Sequence, residues 1–275
     1  MGQMPPGVTP VVPILMYHEI AAQPATASRL AVPPGAFAAQ LAHLHAGGFV
    51  TLTASAVAST LADGGRLPER PVVLTFDDGF ADFHGEALPL LRQYGFTATL
   101  FVTTGWIHDA GPRSAGRRPG RMLTWSQIRE AADAGVEIAA HSHRHPQLDQ
   151  LAAWDIRGEL RDSKILLEDR LGRAVPGLAY PFGYSNARVR HAVGEAGYAY
   201  ACAVGNVIAS QERDPLALPR LTIRRSTRLD AFGRIVRGQG LPALFLKDHS
   251  LTKGWATVRR ARALLSGASR GTRGT

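Results

Sequence analysis

Two groups of side chains in this 275-residue chain have the types and spacing of a hydrolytic centre. Asp77 and Asp78 are adjacent carboxylates after the apolar run 72–74 (VVL), and Gly79 follows them. Neighbouring side chains in a strand point to opposite sides. At a strand end, a glycine lets the backbone turn and bring both carboxylates to one site with different roles. Taken alone, the pair also reads as an ordinary Asp-Gly turn. His141 and His145 lie four apart directly after the run 136–140 (VEIAA). On a helical turn that spacing puts both imidazoles on one face, where they can share a metal. His143 then points elsewhere, though not if the segment is extended. An isolated histidine is usually a satisfied surface or core residue, but three in five positions after an apolar strand favour a ligand site.

The elements that must position these residues follow from the pattern of apolar runs. Residues 11–16 lead into Tyr17, His18 and Glu19, 98–102 into Thr103 and Thr104, and 178–180 into Pro181, Phe182 and Gly183. With 72–74 and 136–140 these read as buried strands, and 198–204 and 218–223 are further candidates. Helical patterns lie between them: 36–46 stopped by Gly47 and Gly48, 83–94 with Asp82 as N-cap and Gly95 as stop, 125–134 after Thr124, and about 151–171 before Gly172. Strand-helix alternation predicts a parallel sheet with right-handed crossovers. Reactive residues after the carboxyl ends of successive strands favour an α/β barrel over an open doubly wound sheet. No GxGxxG or GxxxxGK[ST] follows a strand, which leaves nucleotide binding without support.

Composition narrows the rest. With 45% apolar and 19% charged residues, the chain can bury a large core. Its length suits one barrel domain of about 250 residues. The formal charge of +9 comes almost wholly from arginine, because only Lys164, Lys247 and Lys253 are lysines. Most of the arginines are scattered, and the denser stretches 113–121 and 259–273 carry no interleaved stacking aromatics, so no nucleic-acid partner is expected. The single cysteine, Cys202, excludes an intramolecular disulfide and reads as a buried thiol. No signal peptide and no transmembrane run are seen, and a cytoplasmic location is the default expectation. Residues 255–265 have amphipathic spacing beside arginines, which suits docking on the domain or peripheral contact with an anionic membrane. The expected organisation is an extension over 1–10, a barrel over 11–253, and a basic helix and tail over 254–275.

TFDDG at 75–79 together with HSHRH at 141–145 resembles the polysaccharide deacetylase family of carbohydrate esterases. GFVTLT, ATLFV, LTWSQI, GVEIAAHSHRHPQL and LAYPFG extend the resemblance over roughly 11–225. It implies a single-domain, distorted (β/α)7 barrel, and hydrolysis of an N-acetyl group on an amino sugar or N-acetylated glycan with release of acetate. It further implies that Asp78, His141 and His145 bind one divalent metal, Zn2+ in the first place, with Co2+, Ni2+, Mn2+ or Fe2+ as alternatives. Asp77 would be the base and the Phe182 backbone N–H an oxyanion donor. Two neutral imidazoles and one carboxylate with open coordination suit a catalytic rather than a structural site.

Two departures from the family pattern matter. The carboxy-terminal Leu-x-His motif that supplies the acid in classical members is missing, whereas MYHEI at 16–20 resembles the permuted poly-N-acetylglucosamine deacetylase branch, which points to His18 as the acid. The motif arginine that orients the base is replaced by Ala179, with Arg220 or Arg224 as substitutes. Tyr17, Trp106, Tyr184 and Arg220 are the expected saccharide contacts, and the loop 107–121 could wall the pocket. The competing readings are a relative hydrolysing another non-peptide C–N bond and a silent glycan-binding barrel. A binder would not need the full set of base, ligands and acid.

Overall fold

Seven of the apolar runs become the staves of a closed parallel barrel. The computed structural model describes residues 12–24, 28–210 and 214–246. Its strands are β1 (Ile14–Tyr17), β2 (Val50–Leu52), β3 (Pro71–Phe76), β4 (Thr99–Val102), β5 (Glu137–Ala140), β6 (Gly177–Ala179), β7 (Tyr200–Val204) and β8 (Leu218–Thr222). β1 pairs with both β3 and β8, which closes the ring β1-β3-β4-β5-β6-β7-β8, every pair parallel. β2 lies outside the expected set. It pairs with Pro71–Val73 of β3, and β4 takes over the same edge at Thr75 and Phe76. That shared edge distorts the barrel.

Alternation along each strand sorts the side chains into two cores. Leu15, Tyr17, Val72, Leu74, Phe76, Leu100, Val102, Ile138, Leu178 and Leu221 face outward and pack with the helices. Ile14, Val73, Phe101, Ala139, Ala179, Tyr200, Cys202 and Leu218 form the interior. Fully burying a side chain of the Leu or Phe type contributes about 1.5–3 kcal/mol, so both faces of every stave stabilise the closed form. Asp77, His141 and Arg220 have the interior parity, which carries them toward the centre of the ring.

The helices are α1 (Pro34–Ala46), α2 (Ala54–Ala62), α3 (Leu88–Tyr94), α4 (Trp125–Asp133), α5 (Ala153–Leu171), α6 (Ala187–Glu195), α7 (Leu229–Val236) and α8 (Leu241–Leu244). α4 begins with a capping box between Thr124 and Gln127, and α5 ends at Gly172 in the left-handed conformation. The helix expected over 83–94 is instead a π-helical turn, Phe83–Ala87, running into α3. Asp82 does not cap it. Its side chain accepts a hydrogen bond from the Ile20 backbone N–H, tying the segment after β1 to the segment after β3. None of the described helices is long and apolar enough to cross a membrane. The expected extension over 1–10 and the basic tail over 254–275, with its amphipathic pattern, lie outside the described residues.

Candidate active site

Asp77 continues the barrel ladder, its N–H donating to Tyr17 O at 3.0 Å, and the chain then reverses. The reversal is at Asp78 itself, with φ 75°, followed by Gly79 at 87°. An aspartate tolerates the left-handed region better than most residues, and here it turns the second carboxylate back over the barrel mouth.

The segment 141–145 is not the helical turn expected from the four-residue spacing. Ser142 and His145 both have left-handed φ angles, 62° and 61°, and the Ser142 hydroxyl accepts from the His145 N–H at 3.0 Å. The resulting loop brings both imidazoles to Asp78 Oδ1: His141 Nε2 at 3.4 Å and His145 Nε2 at 3.3 Å. His143 turns away and pairs through Nδ1 with Thr104 Oγ1 at 2.8 Å. Among the described residues, five non-glycine positions have positive φ, and Asp78, Ser142, His145 and Phe182 are four of them. Such conformations cost of order 1–3 kcal/mol each and persist where the surroundings over-determine them, so their concentration at one barrel mouth marks a functional site.

Asp78, His141 and His145 fit a metal ion. Their ligand atoms lie within 4.8 Å of one another, and Asp78 Oδ1 is buried without a hydrogen-bond partner. His141 donates from Nδ1 to the Ala179 carbonyl at 2.8 Å, which fixes its tautomer and presents the Nε2 lone pair to the site. Burial, with the neighbouring His141, lowers the His145 imidazole to about 4, keeping it neutral and able to ligate. Burial also acts to lower His141, but the Asp77 charge and the Asp78 carboxylate outweigh it and the net shift is upward. For Asp78 burial acts upward, and the imidazoles around it outweigh that and hold the group ionised.

Asp77 lies on the other side of the cluster, 3.9 Å from His141 Nε2 and 4.0 Å from His18 Nε2. Arg220 grips it through both guanidinium nitrogens, Nη1 to Oδ1 at 2.5 Å and Nη2 to Oδ2 at 2.8 Å. Burial would raise the Asp77 carboxyl, but Arg220 first, then His141 and His18, bring it below the usual carboxylate range. Of the two arginines considered for the motif position, it is Arg220 that reaches the carboxylate. It crosses the barrel interior from β8, also bonding Thr75 Oγ1 and lying over the Phe101 ring.

Two expected saccharide contacts are corrected. Arg220 has no accessible surface, so it touches Asp77 and not a sugar. Tyr17 is equally buried: its ring packs between Phe37 and Phe76, and its hydroxyl donates to Gln40 Oε1. Its outward parity on β1 sends it away from the mouth. Trp106 and Phe182 do flank the site, each ring 4.8 Å from the His145 ring, and Tyr184 stacks on Phe182. The loop 107–121 is fastened to the site's strand ends, since Leu123 N–H donates to Gly79 O and Ala81 N–H to Arg121 O. One residue escaped the sequence reading altogether. Glu159 on α5 is buried, and its Oε2 accepts from the N–H groups of His143 at 3.0 Å and Arg144 at 2.7 Å, clamping the loop between the two histidines. The available signal was an acidic residue beside the apolar stripe of Ile156, Leu160 and Leu167.

A model of the family described as polysaccharide deacetylase matches residues 64–201, half of the chain, including both the Asp pair and the histidine loop. The chain belongs to the polysaccharide deacetylase family. It is 30% identical over 224 residues to the putative polysaccharide deacetylase YxkH of Bacillus subtilis, covering 82% of this chain and 75% of that protein. It is also similar to the poly-beta-1,6-N-acetyl-D-glucosamine N-deacetylases of Escherichia coli K12 (27% identity) and Staphylococcus aureus (22%). The matches span 46% and 63% of this chain but only 20% and 60% of those proteins. Among solved structures, the Streptococcus pyogenes deacetylase PplD in complex with acetate superimposes with a TM-score of 0.75 at 27% identity, covering 83% of this chain and 99% of that one. The distorted seven-stranded barrel is therefore the fold of these deacetylases, as the motifs implied.

Proposed function

We propose that this family member is a divalent-metal-dependent N-deacetylase that converts an N-acetylated amino sugar in a glycan, with water, into acetate and a free amine. The observation that carries this reading is the convergence of an Arg-held carboxylate, a separate Asp-His-His ligand set and a third histidine at one barrel mouth. The names of the poly-N-acetylglucosamine relatives support an N-acetylglucosamine-type substrate.

Asp78 Oδ1, His141 Nε2 and His145 Nε2 would hold the metal, Zn2+ being the first choice for two imidazoles and a carboxylate. When bound, it would supply Lewis-acid polarisation of the attacking water and of the acetyl carbonyl. Asp77 stays ionised beside Arg220 and takes the proton from water, while Arg220 fixes the direction of the accepting oxygen. As the C–N bond breaks, His18, on the Asp77 side, delivers a proton to the departing nitrogen. The Phe182 backbone N–H, at a turn with φ 60°, is assigned to the oxyanion. The indole of Trp106 and the rings of Phe182 and Tyr184 shield the centre from bulk water.

The test is acetate release from N-acetylglucosamine oligomers by zinc-loaded protein, with a chelated sample, Asp77→Asn and His18→Ala alongside. Release by wild type alone, with rates reduced roughly 10²–10⁴-fold in each variant, is the expected result. Undiminished release after chelation, or by Asp77→Asn, would refute the reading.

A further inference from the structure

We propose that the groove between α5 and the histidine loop is a second saccharide subsite, which takes a neighbouring sugar unit of the same N-acetylated glycan and whose platform is Trp154. This rests on the glycan-deacetylase reading. The groove encloses about 380 Å³, in the range of small-ligand sites. Trp154, in the first turn of α5, is 72% exposed, the most exposed large apolar side chain among the described residues. An indole that contributes so little to the core is free to contact a ligand. Around it, Arg144, Arg157, Arg161 and Asp162 line the groove, with Arg161 Nε and Nη2 both on Asp162 Oδ1 at 3.0 and 2.9 Å.

A flat apolar ring edged by planar donors and acceptors matches a pyranose, which presents an apolar C–H face and a rim of hydroxyls. A protein partner would call for a contiguous apolar patch, whereas the exposed neighbours of Trp154 here, Asp155 and Arg157, are charged. The groove also backs onto the active-site loop. His143 and Arg144 form part of its wall and lie between the ligands His141 and His145, and two residues of chain span at most about 7 Å. Glu159, buried at the groove, holds that wall by its bonds to the N–H groups of His143 and Arg144 and to Arg144 Nε. α5 follows β5, so its first turns stand on the face of the barrel where the strands end, the face that carries the catalytic groups.

The experiment titrates the full chain carrying Asp77→Asn, which blocks hydrolysis, with N-acetylglucosamine oligomers from dimer to hexamer and reads affinity by calorimetry. Affinity should rise with length. Adding Trp154→Ala should remove about fivefold of the hexamer affinity, the weight of one aromatic contact, while Trp154→Phe retains most of it. A length-dependent gain that survives Trp154→Ala, or no gain with length in the Asp77→Asn protein, would overturn the subsite. Because the readout is binding, the deacetylase reading fails separately, by the absence of acetate release from the same oligomers with wild-type protein.

Discussion

At the residue scale, the site separates two adjacent aspartates by environment. Asp77 has a buried guanidinium on both oxygens, whereas Asp78 has two imidazole nitrogens and an unsatisfied oxygen. One is arranged to keep a fixed, ionised proton acceptor and the other to give its electrons to a cation. Replacing Arg220 tests that division. Without it, burial acts on Asp77 with less opposition and the carboxyl rises. The acid limb of kcat/KM, which reports the base in the free enzyme, should therefore move to higher pH in Arg220→Gln. The same substitution leaves a buried carboxylate poorly compensated and should lower stability by about 3–5 kcal/mol in urea titration. The stabilisation that Asp77 gains from its lowered pKa is present at neutral pH and lost as pH falls through the folded value, so the urea difference between wild type and variant should shrink in acid. Were the limb unmoved, Arg220 would be a structural residue only.

At the scale of elements, the four-residue histidine spacing was legible but its conformation was not. Sequence spacing suited one turn of helix, and the chain uses two left-handed residues to reach the same convergence. What enforces the loop is α5. Its pattern and its Gly172 stop were readable from periodicity, yet the role of Glu159 was hidden, because a carboxylate in a helical pattern normally marks the solvated face. Glu159→Gln keeps the shape but removes the charge and turns one of the two acceptor oxygens into an NH2 donor, so it cannot accept from both the main-chain N–H pair and Arg144 Nε. It should weaken zinc affinity roughly 10–100-fold, as measured by competition with a chromophoric chelator, with little change in secondary structure by circular dichroism. Unaltered affinity would show that the loop holds its geometry without the clamp. The break at Asp82 has the same origin. A residue that locally looks like an N-cap is recruited by Ile20, 62 positions away.

At the scale of the whole molecule, the barrel's far end is sealed by contacts that no local pattern announces. Tyr200 points inward from β7, and its hydroxyl donates to Glu137 Oε1 at 2.8 Å. The other oxygen of Glu137 accepts from Thr99 Oγ1 and from the Ser55 N–H at the start of α2. Gly177 makes room for this: a Cβ there would lie 2.1 Å from the Tyr200 ring. Gly177→Ala should therefore destabilise the protein by about 3 kcal/mol or more in thermal or urea unfolding, and a wild-type Tm would contradict this account of the packing. The sequence by itself determined the seven barrel strands and the residue types that form the two halves of the centre. These are decided by alternation, punctuation and chemical type, all of them local in the chain. Only the tertiary structure decided which arginine holds Asp77, that Tyr17 belongs to the outer core, and that a buried glutamate clamps the histidine loop. Ring closure brings β8 across the interior from β3, and pairings over 143 residues of chain leave no trace in any window of sequence.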